Sequence, residues 1–203
     1  MKTKAKNQPI RKQTIETLTY GAILTALVVV LQLLGSFIKF GPFSISLVLI
    51  PIVIGAALCN KWIGAWLGFV FGIAVLLSGD AAPFMAIDVP GTIFTVLAKG
   101  TLCGLLAGLV YEGISKFNRL IGVVAAAIVC PIVNTGIFLI GCRIFFYNTL
   151  LTWASAEGFG GNFIGYLLIG FVGLNFLVEL GVNVVLSPVV IRLIQIAKKI
   201  KKS

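Results

Sequence analysis

The sequence predicts an all-α membrane protein, a bundle of six transmembrane helices with both termini in the cytoplasm. Of its 203 residues, 59% are hydrophobic and 11% are charged, and the mean hydropathy is +1.11. Soluble domains carry about 25% charged residues. Its apolar runs approach or exceed the roughly 20 residues that a helix needs to cross the hydrocarbon core, which favours helices over the short alternating strands of a membrane β-barrel.

The positive charges divide the chain into one membrane domain and two tails. Residues 1–14 and 191–203 each contain five of the 16 lysines and arginines. Lys and Arg concentrate on the cytoplasmic side of membrane proteins, so both tails are assigned to the cytoplasm and residues 15–190 to the membrane domain. The formal net charge of +10 is explained by these anchors, and no nucleic-acid partner is predicted.

Six apolar segments are interpreted as membrane spans, in this order: residues 15–37, 43–58, 62–77, 91–111, 120–146 and 163–190. We expect Pro51 to kink the second span, because proline lacks a backbone N–H. Pro90 suits the start of the fourth span, where that N–H has no helical partner. Residues 78–90 form an outer loop, and residues 147–162 are expected to form a mobile outer loop that closes over a site.

Small residues recur at every fourth position on three spans. They are Ala22 and Ala26 on the first span, Gly64, Gly68 and Gly72 on the third, and Gly100, Gly104 and Gly108 on the fourth. This spacing places small residues on one helix face, which another helix can approach closely. Composition alone favours ordinary packing within the bundle for all three faces.

Polar residues inside the spans mark a candidate site. On the fourth span Thr92, Thr95 and Lys99 form one stripe that descends about 12 Å from the outer mouth. A charge within a span usually faces the bundle interior or a water-filled cavity and has a function. Lys99 is therefore the leading candidate, and the alternative is a structural salt bridge. Glu179 is the candidate partner, although it is expected to lie deeper, about 24 Å along the sixth span.

Two asparagines and an arginine are further candidates. Asn134 and Asn175 can each donate and accept hydrogen bonds, which suits recognition of a polar organic molecule, and hydrogen bonding between helices is the alternative. Arg143 lies near the outer end of the fifth span, where it either reaches the pocket or extends to the membrane surface. On an ideal helix it points about 180° away from Asn134, because nine residues turn through about 900°.

The sequence does not indicate a metal site, a cofactor or a catalytic centre. The chain has no histidine, and its cysteines form no CxxC pair. No P-loop is present, so any ATP hydrolysis is expected in a partner. The outer acids match no catalytic pattern and are interpreted as solvated loop residues: Asp80, Asp88 and Glu157. The protein is therefore predicted not to be an enzyme.

The ordered combination of these features resembles the substrate-binding S components of energy-coupling factor (ECF) vitamin transporters. The features are six spans with cytoplasmic ends, the Ala22 and Ala26 pair, the run Leu49-Ile-Pro51-Ile-Val-Ile-Gly55, the third-span glycines, and the glycine pattern that follows Lys99. The resemblance implies capture of a vitamin from outside, docking on a transmembrane T component and two cytoplasmic ATPases, and toppling within the bilayer. It also implies that Ala22 and Ala26 contact the T component, and that spans four to six build the site.

The predicted function is therefore uptake of a small, polar, anionic micronutrient across the cytoplasmic membrane. Lys99, with Arg143 as a second candidate, would neutralise the anion. The other predicted substrate-binding residues are Thr92, Thr95, Asn134, Asn175 and Glu179. Pantothenate has one carboxylate and fits a single buried lysine, whereas riboflavin and other vitamins stay open. The alternative is a stand-alone secondary transporter or channel, although the chain shows no clear internal repeat.

Overall fold

The computed structural model of the protein is almost entirely helical, and it describes residues 8–37, 39–40, 43–44 and 47–200. The elements are α1 (Gln8–Gly35), β1 (Lys39–Phe40), β2 (Phe43–Ser44), α2 (Leu49–Leu58), α3 (Lys61–Leu77), α4 (Ala82–Met85), α5 (Val89–Ile114), α6 (Arg119–Phe145), α7 (Tyr147–Ala156), α8 (Phe163–Gly165), a π-helical segment (Tyr166–Phe171) and α9 (Gly173–Ile200). The predicted tails fall partly outside the described residues, and their described parts continue α1 and α9.

Four helices in the described part of the chain are long and apolar enough to cross a membrane: α1, α5, α6 and α9. The apolar helix α3 has 17 residues and α2 has 10. At 1.5 Å per residue, α2 covers about 15 Å, roughly half of the hydrocarbon core. The predicted span 43–58 is therefore wrong in its first part, where β2 pairs with β1 in a short antiparallel hairpin. A total of six crossings, and the side of each terminus, stay predictions.

The helix starts follow from local sequence. Asn60 accepts hydrogen bonds from the backbone N–H groups of Trp62 and Ile63 at the start of α3. Asp88 caps α5 by accepting from the Gly91 N–H at 3.2 Å. Such side chains satisfy backbone donors that have no partner within the helix. Pro51 occupies the first turn of α2, where its missing N–H costs nothing, so the predicted kink is wrong.

The two glycine faces predicted on α3 and α5 pack against each other. Gly68 contacts the backbone of Gly100, and Gly64 contacts that of Gly104, so closely that a Cβ at Gly64 would lie 2.6 Å from the Gly104 carbonyl oxygen. The absence of side chains on both faces allows this backbone contact. The interpretation of both stripes as packing faces is therefore confirmed. This contact positions the middle of α5, which includes Lys99.

The end of the bundle that carries α4 and α7 contains an aromatic cluster. It comprises side chains from α4, α6, α7 and the π-helical segment, among them Phe84, Phe138, Phe146 and Phe171. Helix α7 packs into this cluster through Leu150 and Ala154, which are fully buried. The expectation of a mobile loop over residues 147–162 is therefore wrong for most of that segment, because burial of two side chains one turn apart stabilises a helix.

Candidate ligand-binding site

A cavity lies inside the bundle, between α1, α3, α4, α5, α6 and α9. Its volume is about 70 Å³, several times the space that one water needs. Apolar and aromatic side chains form most of the wall, and charged and amide side chains converge on the interior. This combination of an apolar wall with a few convergent polar groups is typical of small-molecule sites.

Lys99 on α5 supplies the positive charge of the cavity. Its Nζ lies 5.7 Å from the ring centroid of Phe71 and 5.1 Å from that of Phe138. Both distances are within the range of cation–π attraction. The carboxylates of Asp80 and Glu179 also line the cavity and act electrostatically on Lys99. The ammonium of the half-buried Lys99 thus lies near two aromatic rings, and two acids line the same cavity.

Glu179 lines the same cavity as Lys99. From the helix rise along the predicted sixth span, the sequence had indicated that Glu179 lies deeper in the membrane than Lys99. Helix α9 begins only at Gly173, so Glu179 lies about 9 Å from its start. The Glu179 side chain is 2% exposed. One turn earlier, Asn175 donates from Nδ2 to Glu179 Oε1 at 3.4 Å. These two predicted site residues therefore act as a pair.

Two amide side chains present hydrogen-bond acceptors to the cavity. Asn134 on α6 and Asn175 on α9 both line it. Among the described residues, neither the Oδ1 of Asn134 nor that of Asn175 has a hydrogen-bond partner, although both atoms are buried. A buried acceptor without a donor costs about 1–3 kcal/mol. A molecule that brings hydrogen-bond donors into the cavity could satisfy this requirement.

Gln32 on α1 is a cavity residue that the sequence reasoning missed. It is 2% exposed, and its Nε2 donates to Asp80 Oδ2 at 2.7 Å and to Ser78 Oγ at 3.3 Å. The interpretation of Asp80 as a solvated loop acid is wrong, because Asp80 is half-buried and lines the cavity. The available signal was an amide side chain within an otherwise apolar part of the first span.

Three predicted site residues lie elsewhere. Thr92 donates from Oγ1 to the Asp88 carbonyl at 2.6 Å, and Thr95 packs against Gly141 of α6. The exposed Arg143 places its guanidinium 4.2 Å from the ring centroid of Tyr147. Within the described part of the chain, the cavity lining includes none of the three. The opposite orientations of Arg143 and the buried Asn134 agree with the 180° expected on one helix.

The alanine pair of α1 lies outside the core. Ala22 and Ala26 are both exposed, while Leu24 and Val28 on the other side of the helix are buried. The pair is therefore accessible from the surface of the bundle, next to large exposed apolar side chains such as Leu18. This placement is what docking of another membrane helix requires.

Comparison with known proteins assigns the family. Residues 16–191 match the family model described as the ECF transporter substrate-specific component. The chain belongs to this family. It is 27% identical over 187 residues to the pantothenic acid transporter PanT of Lactococcus lactis subsp. cremoris (strain MG1363), covering 84% of this chain and 89% of that protein. No solved structure matches this S component.

Family membership confirms the resemblance drawn from the sequence and identifies the chain as a membrane transport protein. It also favours the first of the two predicted functions over a stand-alone transporter or channel. For this S component, the cavity around Lys99 is the candidate substrate site, because charged, amide and aromatic side chains from six helices meet there.

Proposed function

We propose that this S component captures pantothenate and delivers it to an ATP-driven ECF importer in the cytoplasmic membrane. The observation that carries the proposal is the cavity in which Lys99, three amide side chains and three phenylalanines converge. The 27% identity to a pantothenic acid transporter supports the same substrate. Riboflavin fits less well, because it has no carboxylate to pair with the Lys99 ammonium. A charge in a low-dielectric site is costly unless it is paired.

The charge of the ligand is matched by Lys99. Pantothenate carries one carboxylate, and Lys99 is the cation that lines the cavity in the described part of the chain. A charge-assisted hydrogen bond between ammonium and carboxylate is about twice as strong as a neutral one. The bond also offsets part of the cost of desolvating both groups in the cavity.

The remaining groups of pantothenate match the other side chains of the cavity. Its two hydroxyls and its amide N–H are donors, and the buried Oδ1 atoms of Asn134 and Asn175 are acceptors without partners among the described residues. Its methyl and methylene groups suit the apolar wall that includes Phe71 and Phe138. In the proposed orientation the carboxylate would lie at Lys99 and the hydroxyls towards α6 and α9. The cavity of about 70 Å³ has room for roughly five waters, so it must widen to admit a ligand of this size.

The direct test compares two ligands that differ at one group. Isothermal titration of the detergent-purified protein should show tighter binding of pantothenate than of panthenol, in which an alcohol replaces the carboxylate. Lys99→Met keeps a long apolar stem and removes the charge. It should weaken pantothenate binding by about 10- to 100-fold, the effect of losing one charged hydrogen bond, and leave panthenol binding within about threefold.

The matched control is Arg143→Met, which removes an exposed cation outside the cavity. It should leave both affinities unchanged. If Lys99→Met binds pantothenate as tightly as the wild type, the charge-pairing proposal is wrong. Tighter binding of another vitamin from a panel would overturn the choice of pantothenate while leaving transport by this family in place.

Docking on the T component is proposed for the exposed Ala22 and Ala26 face of α1. A tryptophan there fills the space that a partner helix would occupy. Ala22→Trp should therefore retain vitamin binding but abolish co-purification with the T component and the two ATPases. Ile140→Trp, at an exposed position on α6, is the control and should co-purify normally. Normal complex formation by Ala22→Trp would contradict this assignment.

A further inference from the structure

The described lining of the cavity contains more negative than positive charge. Lys99 contributes one positive charge, and Asp80 and Glu179 contribute two carboxylates. An anionic ligand must therefore compete with two protein carboxylates for one ammonium group. Attraction between such charges strengthens as the dielectric constant falls. A site of this kind binds an anion only if the protein carboxylates are engaged by other groups.

Each carboxylate is engaged by an amide side chain. Asn175 donates to Glu179 at 3.4 Å, and Gln32 donates to Asp80 at 2.7 Å. The Gln32 bond is the shorter of the two and has a length typical of a charge-assisted hydrogen bond. It also joins two distant parts of the chain, since Gln32 lies on α1 and Asp80 in the turn that follows α3.

We infer that Gln32 is a positioning residue for anion binding: it holds the Asp80 carboxylate towards α1 and so leaves the Lys99 ammonium for the carboxylate of the ligand. This inference rests on the proposed function. Gln32 is 2% exposed, so water does not readily replace its amide. Without that amide, the half-buried Asp80 loses the hydrogen bond that turns its carboxylate towards α1, and attraction draws it towards the Lys99 ammonium, which then neutralises the anion site.

A purely structural role for Gln32 makes a different prediction. The Nε2 of Gln32 also donates a hydrogen bond to the Oγ of Ser78 at 3.3 Å. Gln32 therefore connects α1 to the turn at residues 78–80. If this tie only shapes the cavity, its loss should affect charged and neutral ligands alike. If Gln32 keeps Asp80 away from Lys99, its loss should affect the charged ligand alone. The two roles are thus separated by ligand charge.

The experiment titrates pantothenate and panthenol into wild type, Gln32→Met, Asp80→Asn and the double variant. Methionine retains most of the volume of glutamine and cannot hold a carboxylate. Gln32→Met should weaken pantothenate binding about tenfold and leave panthenol within about threefold. Adding Asp80→Asn should restore pantothenate binding, because no carboxylate remains at residue 80. Ser78→Ala, which keeps the Gln32–Asp80 bond, is the control and should bind as the wild type does.

Unchanged panthenol binding verifies that Gln32→Met is folded. Equal weakening of both ligands, or failure of Asp80→Asn to restore pantothenate binding, would overturn the inference. Failure of the proposed function has a different signature: wild type would not prefer pantothenate to panthenol, or Lys99→Met would retain that preference. If Lys99→Met loses the preference and Gln32→Met keeps it, the proposed function stands and the role of Gln32 is refuted.

Discussion

Replacing Gly68 with alanine should separate α3 from α5 and destabilise the bundle. A Cβ at Gly68 would overlap the carbonyl oxygen of Gly100 and lie 2.7 Å from its carbonyl carbon. Since non-bonded carbon atoms are optimally spaced at about 3.5–4.0 Å, the helices must move apart by about 1 Å. Neither side can yield by changing a rotamer, because the opposing atoms belong to the backbone.

The cost of this substitution follows from the overlap. Inserting a methyl group into a well-packed interior costs about 1–3 kcal/mol, and contact with backbone places Gly68→Ala at the upper end. For a chain of about 200 residues, 3 kcal/mol corresponds to a fall in Tm of roughly 6–12 °C. The intrinsic preference of alanine for helices offsets at most about 1 kcal/mol of that loss.

The measurement is thermal unfolding of the purified variant in detergent. Gly136→Ala on α6 is the matched control, because a Cβ there meets no atom within 4 Å among the described residues. It makes the same chemical change in a helix without the overlap, so its Tm should equal or slightly exceed that of the wild type. Equal Tm values for Gly68→Ala and Gly136→Ala would refute the proposed backbone contact.

Two further substitutions test smaller contributions to stability. Asp88→Ala removes the cap that the Gly91 N–H requires and should cost about 1 kcal/mol, read as a lower Tm, whereas Asp88→Asn should largely retain the cap. Glu112→Gln weakens the ion pair in which Lys61 Nζ and Glu112 Oε2 lie 3.0 Å apart. The side chain of Lys61 is 31% exposed and that of Glu112 is 38% exposed. The substitution should change stability by less than about 1 kcal/mol, and a larger loss would mean that the pair is shielded from solvent.

The sequence predicted the long helices well, because apolar length and capping residues act locally. It failed at residues 43–58, where length and composition alone indicated a span. The segment Phe43-Ser-Ile-Ser-Leu47 alternates apolar and polar residues, a period typical of a strand. Helix α7 was missed because its many polar residues suggested a loop. The signal for helix was the apolar pair Leu150 and Ala154, spaced one turn apart.

The candidate site was predictable in part. Intramembrane charge and amide groups identified Lys99, Glu179 and the two asparagines, because polar groups in a bundle must face its interior. Thr95 and Lys99 lie one turn apart on α5, yet Thr95 packs against Gly141 while Lys99 lines the cavity. A buried helix has several neighbours, and spacing does not reveal which neighbour a residue meets. The pairing of Gln32 with Asp80 joins residues 48 positions apart, and no local pattern encodes it.

The glycine contact and the cation site belong to the same part of the bundle. Lys99 directly precedes Gly100, whose backbone contacts Gly68, and Phe71 follows Gly68 by three residues on α3. Backbone packing therefore holds the α5 residue that carries the ammonium close to the α3 residue that carries one of the rings beside it, and the Lys99 side chain is the flexible part. Fixing the backbones of both helices reduces the conformational entropy that binding must cost. Gly68→Ala should consequently weaken pantothenate binding even in its folded fraction, and unchanged affinity there would show that the contact serves stability alone.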